Sequence, residues 1–450
     1  MAATPAQPKR ILIDLTDLEQ WGGTYGGIQR VVYGIAKCFF LDAEAVRGIR
    51  FISFDAERRA FYYTSFEPIY ERVHNGIQKV AATEPEAEPV VDISAFQRTK
   101  DYLKRRVPAR LKQQKLVRQA VSEARKARAA LQLAGTPEAV LPDDRQWVVF
   151  GKSDVVLLLG MPWSNPHIME TLSSLRRQRH FTLGQVVYDL IICLYPHLHH
   201  PANFEPYVSH MKAAIANSDL LLPISQSSAR DLKTFAKQNK LSLPRLQVIR
   251  LGDEVVVKNE GAKPDDRIGK HFIACIGTIE VRKNHALLYY AYKLAEERGI
   301  SLPQLVIVGS SGWFSGDVQY LFNTDPVLKN KVIMLHGVSD ADLTWVYQHC
   351  LFTVYPSMYE GWGLPIAESL AYGKLCVAAN TSSMPEIAGD LIDYFSPYDA
   401  EACMEKMAFY QVDANRLPKE KKIVSDYRQT SWEQTYKQVK GTLGIGQETV

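Results

Sequence analysis

Short, largely apolar runs rich in Val, Ile and Leu recur along the chain, and each is followed by a turn and then by a segment with helical spacing. Ile11–Thr16, Ile49–Phe54, Val155–Leu159, Gly184–Tyr188, Leu220–Pro223 and Leu246–Ile249 form a first series. Phe272–Ile276, Gln304–Val308, Val332–Leu335, Phe352–Tyr355 and Leu375–Ala378 form a second. Runs without polar alternation are those of strands buried on both faces. Alternating with helices, such strands make parallel sheets covered on both sides, so the fold class is α/β. Two Rossmann-like, doubly wound parallel-sheet domains are expected. In open sheets of this kind ligands lie beyond the carboxyl ends of the strands. Two such edges facing a common cleft would enclose a ligand with two chemically different ends.

The 450 residues suit two domains. The polar, Gly- and Pro-containing stretch 252–270 reads as the linker, which places the first domain at 1–255 and the second at 256–420. Helical candidates include 28–40, where Ile28, Val31, Val32, Ile35 and Phe39 share a face, together with 210–216 and 227–239. The six cysteines are scattered with no CxxC pair, which fits a reduced cytoplasmic compartment. MAATPAQPKR lacks the apolar core of a signal peptide, and no apolar run approaches the roughly 20 residues that span a bilayer. A cytoplasmic protein, peripheral on the inner face of the membrane at most, is the expectation. Charge is uneven. Residues 98–128 hold twelve Lys or Arg against Asp101 and Glu123, a local excess of +10 in a chain of net charge +4. This lies in a basic helical insertion of about 98–134. It can be a solvated or intramolecular helix, an anionic membrane contact, or a nucleic-acid contact. Only Tyr102 interleaves the charges, which counts against stacking on single strands, and nucleic acid is not the expected partner.

Residues 354–380, VYPSMYEGWGLPIAESLAYGKLCVAAN, carry the densest chemistry. A strand runs into a loop in which Gly361 and Gly363 let backbone approach a ligand closely. Pro365 suits the first turn of a helix and Gly373 its end. The helix start at Leu364 therefore presents free N–H groups and a positive dipole end, an anion site. Glu360 precedes the turn and Glu368 follows it eight residues later. A second string, IGTIEVRKNH at 276–285, ends a strand at Gly277 and places Arg282 and Lys283 in the next loop, where cations suit a diphosphate.

The string E-G-W-G-L-P-I-x-E resembles the E-x7-E signature of retaining glycosyltransferases of family 4, which have the GT-B fold, and the similarity runs through the second domain. The resemblance implies a nucleotide-sugar donor. Arg282 and Lys283 would neutralise the departing diphosphate, Glu360 would hold the sugar, and Glu368 the ribose. Relatives that carry an additional Arg after the strand glycine differ here, where Thr278 stands. Gly337 to Ser339, with Val338, would lie against the nucleobase, although Ser339 equally suits a helix N-cap. Gly309 after QLVIV would add to the nucleotide pocket.

In the first domain YGGIQRVVYGI is similar to the opening of a bacterial subgroup that includes O-antigen mannosyltransferases. Gly26 and Gly27 would let the chain pass the donor phosphate, while Arg30 faces either the cleft or the surface. At VVYDLIICLYPHLHH (186–200) the family has a His near the transferred sugar, where this chain has Tyr188 followed by Asp189. Asp189 is left to orient hydroxyl groups. His197, His199 and His200 lack acidic partners in a ligand pattern and suit a surface or acceptor loop rather than a metal site. Ser225 suits a helix cap. SWEQTYKQV at 431–439 resembles the terminal helix, within 421–450, that crosses back to the first domain, with Trp432 as its anchor. The implied activity is retaining, metal-independent and cofactor-free transfer of mannose or a related sugar from a GDP-sugar. The acceptor would be a growing bacterial or lipid-linked glycan. The alternative is a non-catalytic nucleotide- or glycan-binding protein on the same fold.

Overall fold

The computed structural model describes residues 10–20, 27–42, 48–79, 145–254 and 261–444, without the side chains of 74–79. Gly26 and the rest of the glycine turn, the basic segment 98–134 and residues 255–260 of the linker lie outside this set. Met1–Tyr70 and Trp147–Val450 form one compact unit and Glu71–Gln146 a second. Both sheets belong to the first unit.

The first sheet has seven strands in the order β3-β2-β1-β4-β5-β6-β7. They are β1 Ile11–Asp14, β2 Ile49–Asp55, β3 Ala60–Thr64, β4 Val155–Leu158, β5 Thr182–Val187, β6 Leu220–Pro223 and β7 Arg245–Leu246. Every neighbouring pair is parallel except the β2–β3 hairpin. The second sheet has six parallel strands in the order β10-β9-β8-β11-β12-β13. These are β8 Phe272–Ile276, β9 Gln304–Val308, β10 Val332–Leu335, β11 Thr353–Tyr355, β12 Cys376–Ala379 and β13 Asp393–Phe395. The central strands β1, β4, β8 and β12 are buried at every position, as their unbroken apolar runs require.

Two strands escaped the apolar pattern. In β3 (AFYYT) only Phe61 is fully buried, so the strand lacks an apolar run, and β13 is a three-residue edge strand that opens on Asp393. The run expected at 246–249 is a ladder only at Arg245–Leu246. Beyond it the amides of Gln247 and Ile249 still bond Leu221 and Pro223. The helix expected at 210–216 begins earlier and spans Phe204–Asn217.

Strand order reverses between β1 and β4 in one sheet and between β8 and β11 in the other. At such a reversal the loops leaving adjacent strands diverge to opposite faces and open a crevice at the carboxyl ends. The β8 and β11 loops carry the Arg282-Lys283 and Glu360 strings respectively.

The C-terminal helix Trp432–Thr442 packs on the Gly27–Leu41 helix of the first sheet. Its start is fixed by a capping box in which the Ser431 and Gln434 side chains and backbones bond reciprocally. The Trp432 indole packs closely on two glycines, and a Cβ at Gly34 would sit 2.3 Å from the ring and one at Gly252 2.5 Å from it. Tyr436 meets Phe39 edge-on with centroids 4.8 Å apart, and its hydroxyl and the Lys440 amine both bond Asp42. One buried apolar cluster runs from β1 and the Gly27–Leu41 helix through Tyr436 and Val439 into the second sheet. Among the described residues no helix is long and apolar enough to cross a membrane.

Gly34→Val should therefore displace Trp432 and lower stability by about 1–3 kcal/mol, read by urea unfolding. In a Trp432→Ala background the same substitution should cost much less, and equal costs in both backgrounds would exclude the contact.

Candidate active site

β8 ends at Gly277, whose φ of +142° favours glycine, and the chain then turns through Val281–Lys283. Asn284 closes this turn in the left-handed region at φ +59°. Its amide donates to the carbonyls of Pro356 (3.1 Å) and Pro397 (2.8 Å). The amide of Met358 donates to the carbonyl of Arg282 at 2.9 Å. Side-chain and backbone bonds thus tie the β8 loop to the β11 loop, and both cations are aimed at one carboxylate.

That carboxylate is Glu360. Arg282 Nη1 lies 2.6 Å from Oε2, and Lys283 Nζ lies 2.7 Å from Oε1. The hydroxyls of Tyr355 (2.9 Å) and Ser357 (2.6 Å) also donate to Oε1. Arg282 further pairs with Glu280 at 2.6 Å, and the Lys283 amine sits 4.9 Å from the Tyr355 ring centroid. All these groups are buried or nearly so: the Arg282, Lys283 and Glu360 side chains are 14%, 13% and 9% exposed. Burial alone would raise the Glu360 pKa. Arg282 and Lys283 outweigh it and hold the carboxyl far below its ordinary 4.5. Glu360 is therefore an ion that accepts three hydrogen bonds at Oε1 and pairs with Arg282 through Oε2, a geometry for fixing cations rather than for giving up a proton. Arg282 Nε is buried without a hydrogen-bond partner.

Glu368 lies eight residues on, in the Leu364–Ala371 helix, and is also buried. It accepts from the Tyr347 hydroxyl at 2.8 Å and from Arg30 Nη1 at 2.7 Å. The Arg30 side chain remains 42% exposed. Arg30, read from sequence as facing either the cleft or the surface, pairs with Glu368 of the second sheet. Gly363 starts the helix at φ +128° with Leu364 as its first residue. Gly361 meets the first sheet directly: a Cβ there would sit 2.5 Å from the Tyr188 carbonyl and 3.0 Å from Asp189 Cβ.

Asp189 follows β5, and its Oδ1 accepts from the Ile191 amide at 2.9 Å. Burial pushes its carboxyl up, against the opposing Ile191 amide and Arg282. Burial lowers the His199 pKa, with Asp189, Arg282, Glu280 and Glu360 as its charged neighbours, and its Nε2 is buried with no partner. Tyr188 is buried in the core and donates to the Leu159 carbonyl at 2.6 Å, so it does not enter the cluster.

The remaining candidates lie at the edge or serve the backbone. Gly309 abuts the Gly277 carbonyl, where no Cβ would fit. Val338 packs on the apolar cluster beneath β8–β10. Ser339 caps the Asp340–His349 helix, accepting from the Asp342 amide at 3.1 Å, and Ser225 caps Gln226–Gln238. Gly27 opens its helix with nothing near its Cα face, and Gly26 lies outside the described residues. No group of three or more His, Cys, Asp or Glu side chains suited to a metal occurs among the described residues. Sequence reading missed Glu280, Tyr355, Ser357 and Tyr347, and gave His199 only a surface or acceptor-loop role. The first three stand inside or beside the strings already singled out. Tyr347 gave no local signal, because its partner lies 21 residues away.

Residues 258–424 match the family model of glycosyl transferases, group 1. The chain is 33% identical over 159 residues to O-antigen chain mannosyltransferase B of Escherichia coli, covering 35% of this chain and 42% of that protein. It is 27% identical over 227 residues to the serotype-specific mannosyltransferase WbdA of Escherichia coli, covering 46% of this chain and 27% of that protein. It therefore spans less than half the length of these relatives. Anabaena HepE in complex with UDP and glucose superposes with a TM-score of 0.56 at 16% identity, over 97% of this chain and 99% of that one. Sucrose-phosphate synthase from Thermosynechococcus elongatus gives 0.57 at 16% identity, over 97% and 98%. The fold is GT-B. The segment that matches group 1 glycosyl transferases lies in its second half and holds Glu360, Arg282, Lys283 and Glu368.

Glu360→Gln would leave two buried cations facing Glu280 alone, and should cost about 3–5 kcal/mol. A carboxylate with a depressed folded-state pKa adds stability that is fully present above its ordinary 4.5 and is lost as pH falls through the folded value. The gap between wild type and Glu360→Gln in urea unfolding should be constant from pH 8 to about 5.5 and narrow only below 4.5. A gap that already closes near neutral pH would contradict the ion cluster.

Proposed function

We propose that this protein is a retaining, metal-independent glycosyltransferase that moves mannose or a related sugar from a GDP-sugar to a growing bacterial or lipid-linked glycan. The observation that carries the reading is the buried cluster of Glu360, Arg282 and Lys283 at the β8/β11 switch point, inside the segment that matches group 1 glycosyl transferases. Mannose as the sugar rests on the named relatives, which are mannosyltransferases.

Arg282 and Lys283 form the anion site. Without donor their charges are balanced by Glu360 and Glu280, so a diphosphate enters a prepaired, rigid pair of cations and finds its donors in place. The amides at the start of the Leu364–Ala371 helix add dipole stabilisation. Glu360 keeps both cations fixed and offers its remaining lone pairs to the sugar. Glu368 takes the ribose hydroxyls, for which it must share or exchange its bond with Arg30. Donor binding is thereby coupled to the first sheet, because Arg30 stands on the Gly27–Leu41 helix.

In the transfer step the bond between the sugar C1 and the phosphate oxygen breaks, and the electron pair leaves with the diphosphate. The acceptor oxygen bonds C1 from the same face. Its proton passes to the departing phosphate oxygen, and the products are the extended glycan and the nucleoside diphosphate. Asp189, beside Arg282 and Glu360, orients hydroxyl groups of the acceptor or of the transferred sugar.

A thermal-shift series with GDP, UDP and dTDP tests the donor assignment. At a hundredfold excess over Kd a ligand adds about 2.7 kcal/mol to the native state, and GDP should give the largest shift. Hydrolysis of GDP-mannose should fall about a hundredfold or more in Glu360→Ala and Lys283→Ala. If no nucleotide shifts the transition and no donor turns over, the protein is not a transferase.

A further inference from the structure

Exposed and half-buried aromatic rings border the charged cluster on two sides, drawn from both sheets. On one side Tyr195 of the first sheet faces Tyr359 of the second, with centroids 4.9 Å apart. Tyr359 directly precedes Glu360; its carbonyl accepts from Arg282, and its hydroxyl is held by both oxygens of Asp231 at 2.9 and 2.8 Å. Tyr398, 76% exposed, follows Pro397, whose carbonyl accepts from the Asn284 amide beside Lys283. On the other side His200 lies 5.8 Å from the Trp313 ring and parallel to the Phe314 ring, at 6.5 Å and 3°. The Trp313 carbonyl accepts the amide of Val281, next to Arg282, and His200 follows His199, which has Arg282, Glu280 and Glu360 among its charged neighbours.

Two features separate this rim from ordinary surface aromatics. Trp313 and Phe314 remain 43% and 57% exposed although they are adjacent and share a neighbour. Phe314 also holds φ +53°, a left-handed conformation that is costly for a bulky residue and that brings it no burial in return. Strain maintained to display a ring points to a ligand for that ring. The rim offers flat faces, and the Trp313 indole and His200 imidazole add polar edges to them. A pyranose has a matching shape: one face of C–H groups, with hydroxyls around its edge that stay solvated when that face is covered.

We infer that the rim formed by Trp313, Phe314 and His200 on one side, and Tyr195, Tyr359 and Tyr398 on the other, is a binding track for an oligosaccharide. The sugar at the cluster is the acceptor terminus, and units further along the chain stack on the rings. The occupant rests on the transferase reading. The existence of a sugar-binding rim rests on the rings alone.

The test uses the full-length protein, fluorescently labelled, on an immobilised panel of bacterial polysaccharide fragments of graded length. Wild type should be retained on at least one fragment series, more tightly as length grows. Phe314→Gly removes the ring and also relieves the left-handed strain, so its thermal stability should equal or exceed that of wild type. It should nevertheless bind the same fragments at least tenfold more weakly, as should Trp313→Ala. Retention on no fragment, or equal retention of both variants, overturns the inference. A wild type that binds fragments through Trp313 but shows no nucleoside-diphosphate shift would overturn the transferase reading and leave the rim standing.

Discussion

A carboxylate held between two cations organises this molecule. Glu360 is buried with Arg282 at 2.6 Å and Lys283 at 2.7 Å, and Glu280 completes the charge balance. Taking these ions out of water costs several kcal/mol each, which their mutual attraction recovers only when geometry and hydrogen bonds are complete. The surrounding structure supplies most of both, with Arg282 Nε left unpaired. Tyr355 and Ser357 fill Oε1. Asn284 pins the β8 loop to Pro356 and Pro397. Ser382 receives the Glu360 amide at 2.8 Å, and Ser383 donates to the Glu360 carbonyl at 2.9 Å. A buried polar network of this kind is stable when fully satisfied and costly when broken, so the cluster dictates where both loops must lie.

The same region joins the two sheets. Arg30 reaches Glu368, Tyr359 reaches Asp231, and Gly361 presses against the Tyr188 carbonyl. Glu386 accepts from the amides of Gln226 and Ser227, both at 2.7 Å, at the start of a first-sheet helix. That carboxylate sits where a helix end is positive. These contacts are polar and can be exchanged for contacts with a ligand. The Trp432 anchor and the continuous apolar cluster, by contrast, are closely packed. The closely packed joint and the polar one therefore lie at different places.

Much of the fold is legible because buried parallel strands leave an unbroken apolar signature. β1, β4, β8, β9 and β10 all appear at or within a residue or two of their expected positions. The strands that escaped are those with little burial: β3, with its polar and half-exposed positions, and the three-residue β13. The charged strings around Arg282 and Glu360 are legible for a related reason. They sit immediately after strands whose ends can be located, so their placement at a carboxyl edge follows from chain order. The N-cap reading of Ser339 holds, since capping depends on a neighbour three residues away. Its alternative, contact with a base, depends on a ligand.

Sequence by itself determined that this chain forms two doubly wound α/β layers, and that cations and glutamates leave the strands of the second at corresponding ends. Those properties are local: apolar periodicity, glycine and proline punctuation, and spacing along one segment. Tertiary structure alone decided which of these groups meet. It made Glu360 the counter-ion of Arg282 and Lys283 and turned Arg30 toward Glu368, 338 residues away. It withdrew Tyr188 into the core and brought His199 to the edge of the cluster. The physical reason is that charge interactions depend on distance and burial, and both are set by how the sheets stack rather than by the order of residues.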